Sequence, residues 1–330
     1  MTIPDTPLTF NPILKRIIWG GSRLGTRLNK PIGDLNDCAE SWELVDRAAD
    51  QSVAASGPWA GKTLGELISG YREAVLGKHA DLDAFPLLLK YLDCNRVLSV
   101  QVHPDDHYAK GMPVPDLGKT EAWYIVEASP NSLIYAGLRE GVNREALALA
   151  MQHGRTEEVL HSFHPTAGQC VFIPAGTVHA LGDGLVVAEV QQSSDTTFRL
   201  YDWNRTDANG KARPLHVDQA LEVTNYNLGP VVPQTPVPEL SGWQRLVICE
   251  KFELRLGNDE VATLVDLNTG GDDSPVVLMV TQGKISLEGD HWDQASYKTG
   301  DTILLPAAAG KTRVRLESED ARVLEIRLPT

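Results

Sequence analysis

Gly168-Gln-Cys-Val-Phe-Ile-Pro174-Ala-Gly176-Thr-Val-His179 combines a turn glycine, a short apolar run, a proline stop and a second glycine. The run from Cys170 to Ile173 is bounded by turn residues on both sides, which is the pattern of a buried strand. Pro174 cannot donate to a ladder and ends the strand, and Gly176 permits a turn that swings His179 back inward. The first eight positions recur 132 residues later as Gly300-Asp-Thr-Ile-Leu-Leu-Pro306-Ala, this time followed by Ala309 and no histidine. A repeated turn, strand and stop suggests two β-sandwiches of one kind, the second purely structural.

Working outward, Ala122–Glu127, Ser132–Ala136, Leu185–Gln192 and Thr196–Trp203 are rich in Val, Ile, Leu and aromatics and read as strands. Shorter strand-like runs, Ile17–Gly21 and Ser41–Val45, precede them. Helix is expected over 63–78, where Thr63 and Glu66 have capping-box spacing and Leu64, Leu67, Ile68, Tyr71 and Val75 share one face. A second helical stretch is expected over 143–162, broken at Gly154. Residues 229–240 hold Pro230, Pro233, Pro236 and Pro238, the composition of an extended, solvated linker. Residues 241–330 carry strand-like runs such as Val276–Thr281 and Thr302–Leu305 and no clear helix. The expected architecture is mainly β with a helical insert: a larger domain over 1–228, the linker, and a smaller β-sandwich over 241–330.

At 330 residues the chain is long enough for two domains, at about 150 residues each. Its 30 basic and 44 acidic residues give a formal charge of -14, which argues against nucleic acid as a partner. No run approaches the length of a membrane span, and MTIPDTPLTF lacks the basic and apolar regions of a signal peptide, so a cytoplasmic location is expected. Cys38, Cys94, Cys170 and Cys249 are scattered, as expected of reduced thiols without a catalytic part.

In Leu98-Ser-Val-Gln-Val-His103, Gln101 and His103 share one face of an apolar strand by its period of two. Polar groups on such a face need a partner. A metal would satisfy both, with Glu121 as the candidate carboxylate and His179 as a further ligand.

Gly168–His179 fits the second cupin motif, G-x5-P-x-G-x2-H, so the larger domain resembles a cupin jelly roll and residues 241–330 a degenerate, cupin-like copy. Leu98-Ser-Val-Gln-Val-His-Pro-Asp105, Gly118-Lys-Thr-Glu-Ala-Trp123 and Val178-His-Ala-Leu181, in that order, resemble type I mannose-6-phosphate isomerases of the short bacterial form. The resemblance extends over roughly the first 220 residues, through Trp19-Gly-Gly21, Glu40-Ser-Trp-Glu43, Phe85-Pro-Leu-Leu88, Ser193–Trp203 and Pro214-Leu-His-Val217. It implies one Zn²⁺ per chain held by Gln101, His103, Glu121 and His179, with Gln101 either a ligand or set behind a water. It further implies a catalytic Arg199 and a phosphate-binding Arg205, to which Lys119 and the Ser99 hydroxyl add contacts. The implied reaction interconverts mannose 6-phosphate and fructose 6-phosphate through a cis-enediol. Glu189 is the candidate proton carrier, with Lys119 or a metal-bound water able to serve instead. The implied partner is a small sugar phosphate, and the chain is expected as monomer or homodimer. A non-catalytic cupin that binds a sugar phosphate is the alternative.

Overall fold

The computed structural model describes residues 2–206, 210–258 and 267–329. Four antiparallel sheets stack face to face. The first is five-stranded and contains Val100–Val102, Ile134–Leu138, Leu160–Phe163, His179–Leu181 and Phe198–Tyr201. The second has six strands, with Glu121–Ala128, Leu185–Gln192 and Leu87–Cys94 adjacent in its middle. An eight-stranded sheet built around Val276–Gln282 and Arg322–Arg327 follows, and a four-stranded sheet closes the stack.

Alternation along the strands explains the stacking. Trp123 and Ile125 face the five-stranded sheet, whereas Ala122 and Tyr124 face the eight-stranded one. In the same way Val276 and Leu278 line the carboxy-terminal core, and Val277 and Met279 meet the amino-terminal unit. The six-stranded sheet is therefore buried on both faces, and every residue of Leu87–Cys94 and Leu185–Gln192 is buried. Such strands read as continuous apolar runs.

The repeat seen in the sequence is a repeat of topology. Glu121–Ala128 pairs with Cys170–Ile173 and Leu185–Gln192; Val276–Gln282 pairs in the same manner with Thr302–Leu305 and Arg322–Arg327. Gly168 and Gly300 share a left-handed φ, +90° and +93°. Two jelly-roll units of cupin type, mostly β, thus lie back to back.

The helix Leu64–Leu76 has the full capping box between Thr63 and Glu66. The second helix is shorter than expected. Arg144–Gln152 is α-helical and Thr156–Val159 forms a single 3-10 turn, but Leu160–Phe163 is a strand against Ile134–Leu138. Pairing on an open sheet edge overrides weak local propensity there. Short helices at Arg23–Leu28, Asp106–Lys110 and Val217–Val223 had no periodic signal long enough to read.

The proline-rich segment is largely exposed, as expected of a solvated linker, but it is pinned at two points. Val231 N donates to Ala136 O at 3.1 Å, where the pairing of Ile134–Leu138 is irregular, and Gln234 N donates to Cys170 O at 2.7 Å on the edge strand of the six-stranded sheet. At the other end of the chain, Leu8–Asn11 pairs with Thr302–Leu305, so the eight-stranded sheet takes strands from both ends of the sequence. Among the described residues no helix is long and apolar enough to cross a membrane.

Gly300 sits where these units meet. A Cβ there would lie 1.8 Å from Leu28 O, on a backbone already at φ +93°. Gly33 has a similar φ of +58° with nothing within 4 Å. Gly300→Ala should therefore cost about 3 kcal/mol or more, against about 1 kcal/mol for Gly33→Ala. Thermal unfolding of the two variants checks this, and equal losses would show that the interface yields at Leu28.

Candidate active site

The site lies between the five- and six-stranded sheets and is assembled from both. Gln101 and His103 come from the Val100–Val102 strand and its end, His179 from the adjacent strand, and Glu121 from the facing sheet. Gly176, at φ +86°, makes the turn before His179, and its N–H donates to His103 O at 2.8 Å. The two histidine segments are thus tied together through the backbone before their side chains meet.

His103, Glu121 and His179 are each only 1% exposed, and their ligating atoms lie within 4.8 Å of one another. His103 Nδ1 is 2.9 Å from Thr196 O and His179 Nδ1 is 2.9 Å from Thr177 O. A carbonyl can only accept, so both rings carry the proton on Nδ1 and turn the Nε2 lone pair toward the carboxylate. Burial, followed by the Lys119 charge, pushes the His103 imidazole well below its ordinary pKa. Burial likewise lowers His179 to about 4. Both are neutral at physiological pH.

Glu121 Oε1 is 3.3 Å from His179 Nε2, and Oε2 is 3.7 Å from His103 Nε2. Neither oxygen accepts a hydrogen bond. Lys119 Nζ approaches Oε2 at 2.9 Å as an ion pair outside hydrogen-bonding geometry, and stands 3.2 Å from His103 Nε2. Three converging lone-pair donors with one net negative charge can hold a divalent cation. Gln101 borders the cluster, its Nε2 placed 3.3 Å from His179 Nε2.

A cavity of about 340 Å³ opens beside this cluster. Ser99, Gln101, Lys119, Glu189 and Arg199 line it; Arg205 does not, while Arg213, absent from the sequence reading, does. Arg199 Nε donates to Ser99 Oγ at 3.1 Å, and Ser99 Oγ lies 3.4 Å from Gln101 Oε1, a chain that links the guanidinium to the cluster. Arg205 instead donates from Nε to Asp202 Oδ1 at 2.8 Å and from Nη1 to Val97 O.

Behind the cavity Lys90 stands 3.4 Å from Glu40 and 3.5 Å from Glu189, over the face of Trp42. Burial opposes the Lys90 charge, but the Glu40 and Glu189 carboxylates outweigh it and hold the ammonium above its ordinary pKa. Glu189 accepts from Trp123 Nε1 at 3.2 Å through Oε2, and its Oε1 accepts no hydrogen bond. Burial, with the nearby Glu121 charge, raises the Glu189 pKa. A lysine inside the apolar run Leu87-Leu-Leu-Lys90-Tyr-Leu was a readable signal of this site; Arg213 offered none. A larger cleft of about 410 Å³, lined by Leu82, Leu117 and Leu328 among others, contains no member of the cluster and is separate from this chemistry.

Fold and cluster together define a cupin with a candidate metal centre. The family model for the type I phosphomannose isomerase catalytic domain matches residues 8–126. Over 218 residues the chain is 40% identical to mannose-6-phosphate isomerase ManA of Bacillus subtilis, covering 66% of this chain and 67% of that protein. It is 33% identical over 301 residues to mannose-6-phosphate isomerase of Streptococcus mutans, covering 91% and 92%. The crystal structure of the mannose 6-phosphate isomerase from Bacillus subtilis superposes with a TM-score of 0.85 at 30% identity, over 97% of this chain and 99% of that one. The chain belongs to the mannose-6-phosphate isomerase family, and is an aldose–ketose isomerase of type I.

The histidines set a pH limit on the metal-free fold. An imidazole whose folded pKa is depressed contributes nothing above the unfolded value near 6.5, and destabilises progressively as pH falls toward the folded value. For His179, at about 4, the loss should reach on the order of 3 kcal/mol by that pH. Melting of chelated protein between pH 7 and 4 should show the decline, and His179→Gln should lessen its slope while His103 keeps the rest; an unchanged slope would assign the decline to other groups.

Proposed function

We propose that the chain is a zinc enzyme that interconverts mannose 6-phosphate and fructose 6-phosphate through a cis-enediol. The observation that carries this reading is the buried Glu121 carboxylate, flanked by two neutral imidazoles and accepting no hydrogen bond. Lys119 is the one cation beside this buried carboxylate among the described residues, both of its oxygens are left without a hydrogen bond, and a divalent cation is the further partner this donor set fits. His103, Glu121 and His179 would hold it, with Gln101 beside them as the fourth group. Bound there, the metal supplies Lewis acidity toward the sugar oxygens.

The residues around it divide the remaining work. Glu189, raised by burial and with Oε1 open, takes the proton from C2 of mannose 6-phosphate and returns it to C1, while a proton passes from O2 to O1. Lys90 stays charged beside Glu189 and limits the cost of ionising it. Arg199 is braced by Ser99 and by Pro214 O, which receives Nη1 at 3.0 Å, and so presents positive charge where negative charge develops on O1 and O2. Lys119, 7% exposed at the side chain, adds a further cation at the cluster.

Two measurements test the reading. Purified protein should carry one zinc ion per chain by elemental analysis, and chelation should abolish turnover until zinc is restored; full activity in verified metal-free protein would overturn the assignment. Glu121→Gln, which removes the only ligand charge, should lose the metal. Separately, Arg199→Ala in metal-replete protein should lower kcat about a hundredfold, the effect of about 3 kcal/mol of transition-state stabilisation, with a small change in KM. A large KM increase with normal kcat would make Arg199 a substrate anchor.

A further inference from the structure

The cavity has two chemically different flanks. On one, the Lys90 charge is answered by Glu40 and Glu189. On the other, two guanidinium groups hold one carboxylate and a third, Arg199, lies nearby. Asp202, 6% exposed, accepts from Arg213 Nε at 2.7 Å, from Arg213 Nη2 at 2.6 Å and from Arg205 Nε at 2.8 Å. Arg199 lies close enough that, after burial, the Arg213 charge is the next cause of its lowered pKa.

These arginines are not equivalent. Arg205 spends Nη1 on Val97 O and lies off the cavity wall, so its guanidinium is a strut between Asp202 and the backbone. Arg213 uses Nε and Nη2 on Asp202, which fixes its plane, and leaves Nη1 for the cavity that it lines with Arg199 and Ser99. Three guanidinium groups against Asp202 and the cavity-lining Asp195 leave an excess of one positive charge at this end, which suits an anionic phosphate.

We propose that Arg213, positioned by Asp202, is the cation that receives the substrate phosphate, and that Arg205 acts only by bracing Asp202. The inference rests on the hexose-phosphate reading above and extends it to the far end of the cavity. It also separates two jobs: Arg199, linked through Ser99 to the metal cluster, acts at the reacting carbons, while Arg213 selects phosphorylated sugars over free ones.

The test is steady-state kinetics of zinc-loaded protein with fructose 6-phosphate, together with inhibition by inorganic phosphate. Arg213→Gln should raise KM about tenfold or more, leave kcat within about threefold, and weaken phosphate inhibition in parallel. Arg213→Lys should fall between Gln and wild type, because it keeps charge without the two-pronged contact to Asp202. Asp202→Asn should shift KM in the same direction without a comparable fall in kcat, a split that simple destabilisation would not produce. Wild-type KM and phosphate inhibition in Arg213→Gln would overturn the proposal, as would a larger KM rise in Arg205→Gln than in Arg213→Gln. If Arg213→Gln fails to fold, the lysine variant decides: a KM and phosphate inhibition equal to wild type overturn the proposal, and a rise with weaker inhibition supports it. If the zinc-loaded wild type does not isomerise, the hexose-phosphate reading fails by itself, and calorimetric titration of inorganic phosphate into wild type and Arg213→Gln still decides whether Arg213 binds the anion.

Discussion

A carboxylate buried without a hydrogen-bond donor is the constraint around which this molecule is arranged. Glu121, 1% exposed on a sheet covered on both faces, accepts no hydrogen bond, and its charge is met from within by the Lys119 ammonium 2.9 Å away and by what the facing imidazoles help to hold. Two imidazoles are pinned by backbone carbonyls so that their lone pairs meet at the same point. Holding them in that tautomer is the work of loops. Thr196 O, which fixes His103, lies in a segment gathered by Asp116, which accepts from Ser194 Oγ, Asp195 N and Thr196 Oγ1 and is paired with Arg47. The geometry of the site is thereby set from more than one direction, as a preorganised centre requires.

Charge is distributed with equal economy in the cavity. In a chain with formal charge -14, cations are concentrated along one wall of the cavity while others are answered locally. Lys90 is answered by two carboxylates and contributes no free field; the arginine cluster around Asp202 is left partly unanswered. Local imbalance, not net charge, decides what enters.

Much of this was legible because the site residues occupy positions where their type is out of place. A glutamine and a histidine on one face of Val100–Val102 and its end, and a histidine three residues past a turn glycine, are out of place in an apolar core. The long central strands and the capped helix announced themselves by period. The parts that stayed hidden depend on contacts distant in sequence. Leu160–Phe163 is a strand only because Ile134–Leu138 offers an edge, and the proline segment is pinned only where Ala136 and Cys170 offer it a carbonyl. The sequence pointed to Arg205 for the phosphate and gave no sign of Arg213. Only the placement of Asp202 between them separates strut from cavity wall.

The sheet shared between the two jelly rolls has a further consequence. A single apolar cluster runs from Leu64 and Leu87 through Tyr124 and Val190 to Leu254, Met279 and Ile326, and Tyr91 Oη reaches across to Val280 O at 3.3 Å. Each half keeps an apolar core of its own, and this third one belongs to both. The two copies are therefore coupled in stability through this shared core, in addition to the core each keeps for itself. Sequence change in the silent copy is then felt as the number of active molecules in the population, while the turnover of each surviving molecule is untouched. Selection on catalysis thus reaches a region that never meets the substrate.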